Sequence, residues 1–164
     1  VPLLLRAYQL WRELEAASGE RLLQITGGMM LGHAQSRVIT GSLASRRHWD
    51  LPFRELTAAE VHREFPAFDP PSDLVVVVEP EAGFLRPEAA ITCHLRGAAQ
   101  AGARLHFGER AVAWAPTRDG VEVRTGADAY SVHRLVLTAG AWTGAMLRGW
   151  GLPLRVERQV MVWL

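Results

Sequence analysis

The side chains in this sequence that could do chemistry are six His, one Cys and seventeen carboxylates, Asp and Glu together. A metal site needs such groups clustered at ligand spacing. His33, His48, His62, His94, His106 and His133 stand at no such spacing from one another or from Cys93. Each reads as a surface or partly buried imidazole, and no metal ligand is assigned. A nucleophilic triad is equally unsupported. There is no G-x-S-x-G turn, and Cys93 lies among apolar residues of a helical pattern, where a packed thiol is the simpler explanation. All eighteen basic residues are Arg, so this sequence offers no Schiff-base lysine and no lysine general base. Arg86, Arg110, Arg155 and Arg158 could each meet a carboxylate or phosphate. No motif surrounds them, and a solvated or ion-paired guanidinium is the simpler reading.

What remains is the turn Thr138-Ala139-Gly140-Ala141-Trp142-Thr143-Gly144. It follows residues 135–139, a continuously apolar run that reads as a buried strand, and it precedes a short helical pattern over 143–150. Small residues after a buried strand let a ligand approach the backbone, and a helix N-terminus favours anionic groups. In open α/β sheets ligands collect outside the carboxyl ends of strands. On spacing alone the same turn also reads as a plain βα connection. No G-x-G-x-x-G occurs, so the chain carries no dinucleotide fingerprint of its own.

The elements that must position this turn begin at residue 103. Three β-type runs, 111–115, 121–125 and 129–132, succeed one another through the breakers Pro116, Asp119-Gly120 and Gly126, which predicts a β-meander. Ahead of it, Pro87 at a first helical turn and Gly102 at a stop bracket a helix over 88–101 with Ile91, Leu95 and Ala98 inward. Residues 1–18 show helical spacing, with Leu3, Leu4, Ala7, Leu10, Trp11, Leu14 and Ala17 on one face and Gly19 closing it. Residues 22–31 read as two strands around Gly27-Gly28, or as one strand with a bulge there. Ser36 is placed to cap a helix to about residue 48, with Val38, Ile39 and Leu43 on one side. Residues 52–56 read as extended. Thr57-Ala58-Ala59-Glu60 is a capping box that opens a helix to Phe65, which Pro66 ends. A proline-rich loop over 66–72 leads to a strand at 74–79, and Gly151-Leu152-Pro153 breaks the chain before a further strand over 154–164. Trp11, Trp114 and Trp142 fall at inward positions, which favours packing over a stacking surface.

At 164 residues, the chain is long enough for a sizeable core and one or two domains. Hydrophobic content of 49% with 21% charge is that of a soluble globular protein. The net charge of +1, with scattered arginines, gives no support for nucleic acid or an anionic membrane as partner. No apolar run is long enough to span a bilayer, and no signal-peptide pattern opens the sequence. One Cys excludes an internal disulfide and favours a reducing, cytoplasmic setting. The opening Val1-Pro2-Leu3 lacks an initiator Met and runs straight into a helix, as expected of an internal fragment.

Several blocks together resemble one known family. VPLLLRAYQLWRELE, TGGMMLG, FPAF, EPEAGFLRPE, GARLHFGERAVAW, RLVLTAGAWTG and LPLRVERQV, in collinear order over essentially the whole chain, are similar to the monomeric sarcosine oxidase and N-methyltryptophan oxidase family of the D-amino-acid-oxidase superfamily. The resemblance implies a mixed α/β fold, in which a partial Rossmann-like FAD-binding domain with a β-meander interleaves with a mixed-sheet substrate domain. Residues 1–20 and 84–152 would form the first, and 21–83 and 153–164 the second. It implies an FAD-dependent enzyme that oxidises a secondary amine or amino acid to an imine, with oxygen reduced to hydrogen peroxide.

Carried over residue by residue, the resemblance places Ala111 where the family's backbone meets the adenine, and Ala139, Gly140 and Trp142 in the small-residue turn beside the cofactor. None of these is implied to be catalytic. The phosphate-binding loop is expected upstream of Val1, roughly 50 residues away, and the flavin-tethering cysteine and substrate-binding groups beyond Leu164. Cys93 does not match the tethering position. The chain by itself is accordingly expected to be inactive and to hold FAD loosely. A different class stays open from the residues themselves: a non-catalytic module that uses the same sheet to bind a small ligand or a protein.

Overall fold

A computed structural model describes residues 2–162 of the chain. They form a mixed α/β structure that divides into two compact units at Arg104/Leu105. No helix among the described residues is long and apolar enough to cross a membrane.

The first unit opens with α1 (Pro2–Ser18). Two strands follow, β1 (Leu23–Ile25) and β2 (Gly28–Gly32), but they do not form a hairpin. β1 pairs antiparallel with β5 (Gly83–Leu85), in the register Leu23↔Leu85. β2 instead pairs with β4 (Val75–Glu79), Met30 opposite Val77. Gly27, at φ 72, is where the chain leaves one ladder for the other. β3 (Arg54–Leu56) lies on the other side of β4 and completes a three-stranded sheet, β2-β4-β3. Gly83 is fixed by proximity: a Cβ there would collide with the carbonyl oxygen of Gln24 across the β1–β5 pair.

Two separate cores hold this unit. In one, Leu22, Ala90 and Cys93 are buried, and Trp11, Leu14, Leu85 and Ala89 pack against them. It joins α1 to α4 (Pro87–Gln100), with the Trp11 and His94 rings edge to face at 5.7 Å. In the other, Leu56, Val61 and Val76 are buried beneath Met29, Phe65 and Val78. This core seats α3 (Ala58–Glu64) on the sheet. The α3 capping box is formed as read: Thr57 accepts from the Glu60 amide while Glu60 accepts from the Thr57 amide. Ser36 caps α2 (Arg37–Trp49), whose Ile39 is buried.

Some expected faces turn differently. α4 buries Ala90 and Cys93, and Ile91 is 58% exposed. The reason lies in packing partners: the side of α4 that meets α1 and Leu22 carries the small residues, which allow close approach. On α2, Val38 is exposed although its neighbour Ile39 is buried. Of the α1 stripe, Trp11 and Leu14 pack inward, whereas Leu3, Leu4 and Leu10 are exposed.

In the second unit the meander is present. Strands β6 (Ala111–Pro116), β7 (Val121–Thr125) and β8 (Ala129–Val132) form an antiparallel sheet in that order. The Asp119-Gly120 turn closes with the Thr117 amide donating to the Gly120 carbonyl at 2.9 Å. Gly120 is required here by close approach, because a Cβ would run into the Val132 carbonyl oxygen.

Residues 135–139 form no strand. Leu135, Leu137 and Ala139 are half-buried, while Val136 is 80% exposed. A buried strand needs a ladder partner and cover on both faces; among the described residues this segment has no ladder partner and meets the meander with one face. The helical pattern after it is realised only as a 3-10 turn, Gly140–Trp142, and the single turn α5 (Thr143–Met146). That is too short for a macrodipole to favour an anion. Residues 154–162 form no strand, and the last two residues of that expected strand lie outside the described residues.

Candidate cofactor-facing site

Ala111 opens the first meander strand opposite Thr125. The Gly126 amide donates to the Arg110 carbonyl at 3.3 Å, so the Arg110 peptide is turned toward β7. Strand backbone alternates its N–H and C=O groups from residue to residue. The Ala111 groups are therefore turned to the opposite side, where β6 has no neighbour among the described residues. Between Ala111 and Ala113 the register shifts by a bulge, a device that re-aims a strand locally. An edge with outward backbone donors and acceptors suits recognition of a planar polar group through main-chain hydrogen bonds.

The same unit brings Ala139 to Ala111. Both line an open concavity of about 270 Å³, together with Trp114, Val123, Leu135 and Leu137. Its surface is largely apolar, with two alanines where bulkier side chains would fill the space. Gly140 follows at φ 54, a left-handed conformation that glycine adopts at no steric cost. Open space surrounds the position where its Cβ would be. Trp142 does not join the concavity. Its side chain is 72% exposed, which corrects the inward placement expected from spacing. The 3-10 turn is the physical reason: it rotates the indole away from the face that Ala139 presents. Of the four sequence-derived positions, the structure thus gathers Ala111 and Ala139, puts Gly140 at the rim of the turn, and leaves Trp142 projecting outward.

Trp114 ties the two halves of this wall. Its Nε1 donates to the Met146 carbonyl at 3.1 Å, and its ring lies 5.8 Å from that of Trp150. A half-buried indole with its N–H satisfied is a stable anchor, and here it clamps the end of α5 onto β6.

A polar cluster that sequence reasoning missed lies just before Ala111. Glu109 Oε1 accepts from the Thr125 hydroxyl at 2.5 Å and from the Tyr130 hydroxyl at 2.8 Å. Its Oε2 lies 2.8 Å from His106 Nδ1, and the Tyr130 hydroxyl is 3.2 Å from the same nitrogen. Donation by Thr125 and then Tyr130, with His106 adding, holds the Glu109 carboxyl below the usual carboxylate range. The i,i+3 spacing of His106 and Glu109 was legible, but their partners come from β7 and β8. Only the meander's pairing brings those strands alongside.

Among the described residues no three His, Cys, Asp or Glu side chains converge as a metal site. Cys93 is free and buried in the first unit.

The chain belongs to the FAD-dependent oxidoreductase family known as DAO, whose sequence profile matches residues 1–164. It is 44% identical over 163 residues to monomeric sarcosine oxidase of Streptomyces avermitilis, covering 99% of this chain and 42% of that protein. It is 34% identical to N-methyl-L-tryptophan oxidase of Yersinia pestis, with 99% and 43% covered. The chain therefore spans less than half the length of these relatives. Among solved structures, NikD, an amino acid oxidase of nikkomycin biosynthesis, superposes with a TM-score of 0.76 at 27% identity, over 87% of this chain and 37% of that one. Glycine oxidase of Geobacillus kaustophilus shares the fold, with a TM-score of 0.71 at 21% identity over 94% of this chain and 43% of that one.

Proposed function

We propose that this chain is part of an FAD-dependent oxidase that converts a sarcosine-like secondary amine or an amino acid to the imine, with molecular oxygen reduced to hydrogen peroxide. The observation that carries this reading is the 44% identity to a monomeric sarcosine oxidase along nearly the entire chain. The site fits its share of the cofactor: an outward backbone edge at Ala111, a small-residue wall at Ala139 and a left-handed Gly140 leave room for close approach. In this role Ala111 would meet the adenine through its main chain. Ala139 and Gly140 would pass alongside the cofactor without steric conflict, and Trp142 would cover it from the outer side of the turn. When bound, FAD supplies the hydride acceptor and the route for electrons to oxygen. The residues of this chain hold and orient it, and none is assigned a catalytic step.

The interleaved domain division belongs to the same proposal, with residues 1–20 and 84–152 in the FAD-binding domain and 21–83 and 153–164 in the substrate domain (Val1 and the last two residues lying outside the described range). Support comes from the two cores of the first unit. One draws on α1 and α4, with Leu22 joining it from just past the 20/21 boundary, and the other on residues between Met29 and Val78. The free, unpaired Cys93 suits a cytoplasmic setting.

The test is made on the full-length protein that contains this chain. Purified under air and given sarcosine, N-methyltryptophan or glycine, it should release peroxide with at least one of them. Under anaerobic conditions the same substrate should bleach the flavin absorption. A full-length protein that carries no flavin, or one whose flavin none of these substrates reduces, would refute the proposal. Reduction without peroxide under air would make it a dehydrogenase instead.

A further inference from the structure

The Glu109 cluster acts on one place, the start of β6. Glu109 is anchored through its side chain to Thr125 on β7 and Tyr130 on β8. The next residue, Arg110, is tied through its carbonyl to Gly126. Ala111 follows, and immediately after it the ladder is interrupted by the bulge. At a bulge the regular pairing no longer dictates the direction of the strand. On its carboxyl side the ladder therefore stops constraining Ala111, and only the pairing through Arg110 and Gly126 on its amino side sets the direction of its backbone. The Glu109 anchor steadies that amino-terminal side, and it does so with a carboxylate whose two oxygens both have partners.

We propose that Glu109 is a positioning residue for the adenine end of the cofactor, holding the Ala111 edge in the direction from which its backbone can pair with the base. This rests on the reading of the chain as part of an FAD enzyme. Thr125 and Tyr130 are the donors that hold Glu109, and His106 closes the cluster at its second oxygen. The wall at Ala139, which lines the same concavity, is held by a different tie, the Trp114 indole on Met146, so loosening the Glu109 anchor leaves that wall in place.

The experiment uses the apoprotein of the full-length enzyme and measures binding of FAD, ADP and riboflavin separately. Glu109→Leu should weaken ADP and FAD about tenfold, a loss of about one charge-assisted contact's worth of order, and leave riboflavin unchanged. Glu109→Gln keeps an acceptor for Tyr130 and Thr125 and should stay within about threefold of the parent. Tyr130→Phe, which removes one donor and keeps the ring, should shift ADP in the same direction and spare riboflavin, so the inference stays testable if Glu109→Leu fails to fold. Unchanged ADP affinity in Glu109→Leu or Tyr130→Phe would overturn it. So would equal losses of ADP and riboflavin, the signature of a merely structural residue. A parent protein that binds no FAD would fail the proposed function first and remove the inference with it.

Discussion

At the scale of single residues, Glu15 shows how much one carboxylate can organise. Its Oε1 accepts from the amides of Leu22 and Leu23 at 2.7 and 2.9 Å, and its Oε2 from Arg12 at 2.6 Å. Two backbone donors and a guanidinium on one mostly buried carboxylate lower its pKa to about 2, with the Leu23 amide the largest cause, then Arg12, then the Leu22 amide. The folded pKa lies below the unfolded value of about 4.3. The contribution to stability is therefore complete above that value and lost as pH falls from about 4 toward 2. Glu15→Gln should cost about 2 kcal/mol at neutral pH, through the loss of charge-assisted hydrogen bonds. That cost should shrink as the parent is acidified through this window. Denaturant unfolding at pH 7 and pH 3 measures it, and a penalty that is the same at both would contradict the assignment.

At the scale of elements, the second unit depends on a turn that tolerates no side chain. Gly120 lies against the Val132 carbonyl oxygen, so Gly120→Ala must push the β6–β7 turn away from the end of β8. The expected outcome is a loss of about 1–3 kcal/mol, with amide exchange accelerating in β8 first. Equal protection of β8 in parent and variant would show that the turn relaxes without cost. The α3 helix offers the opposite case. Its capping box was legible from Thr57 and Glu60 alone and is formed in the structure, because a cap is a local bargain between residues three apart. β1 and β2 show where such locality ends. Both strands were legible, but their assignment to different ladders was not, since their partners, β5 and β4, come about sixty and about fifty residues later in the chain.

At the scale of the whole molecule, the first unit carries two cores that share no residue. Leu22→Ala and Val76→Ala each empty one of them, and each should cost about 2–4 kcal/mol through lost burial and the cavity left behind. Because the clusters have no shared partner, the double variant should lose the sum to within about 0.5 kcal/mol. A coupling energy above about 1 kcal/mol in equilibrium unfolding would mean that the two cores form one cooperative block and would weaken the interleaved domain division.

What the sequence determined by itself was whatever depends on near neighbours: the helices α1 to α4 and their caps, the three meander strands, and the collinear blocks that mark the DAO family. These follow from periodicity, capping chemistry and turn residues, all of which act within a few positions. Tertiary structure alone decided the rest. It placed Ala111 and Ala139 on one concavity and turned Trp142 outward. It left 135–139 without a ladder and gathered His106, Thr125 and Tyr130 around Glu109. Burial and hydrogen-bond satisfaction are properties of what lies across a strand or against a face. Residues distant in the sequence supply those partners, and no local pattern encodes which of them will arrive.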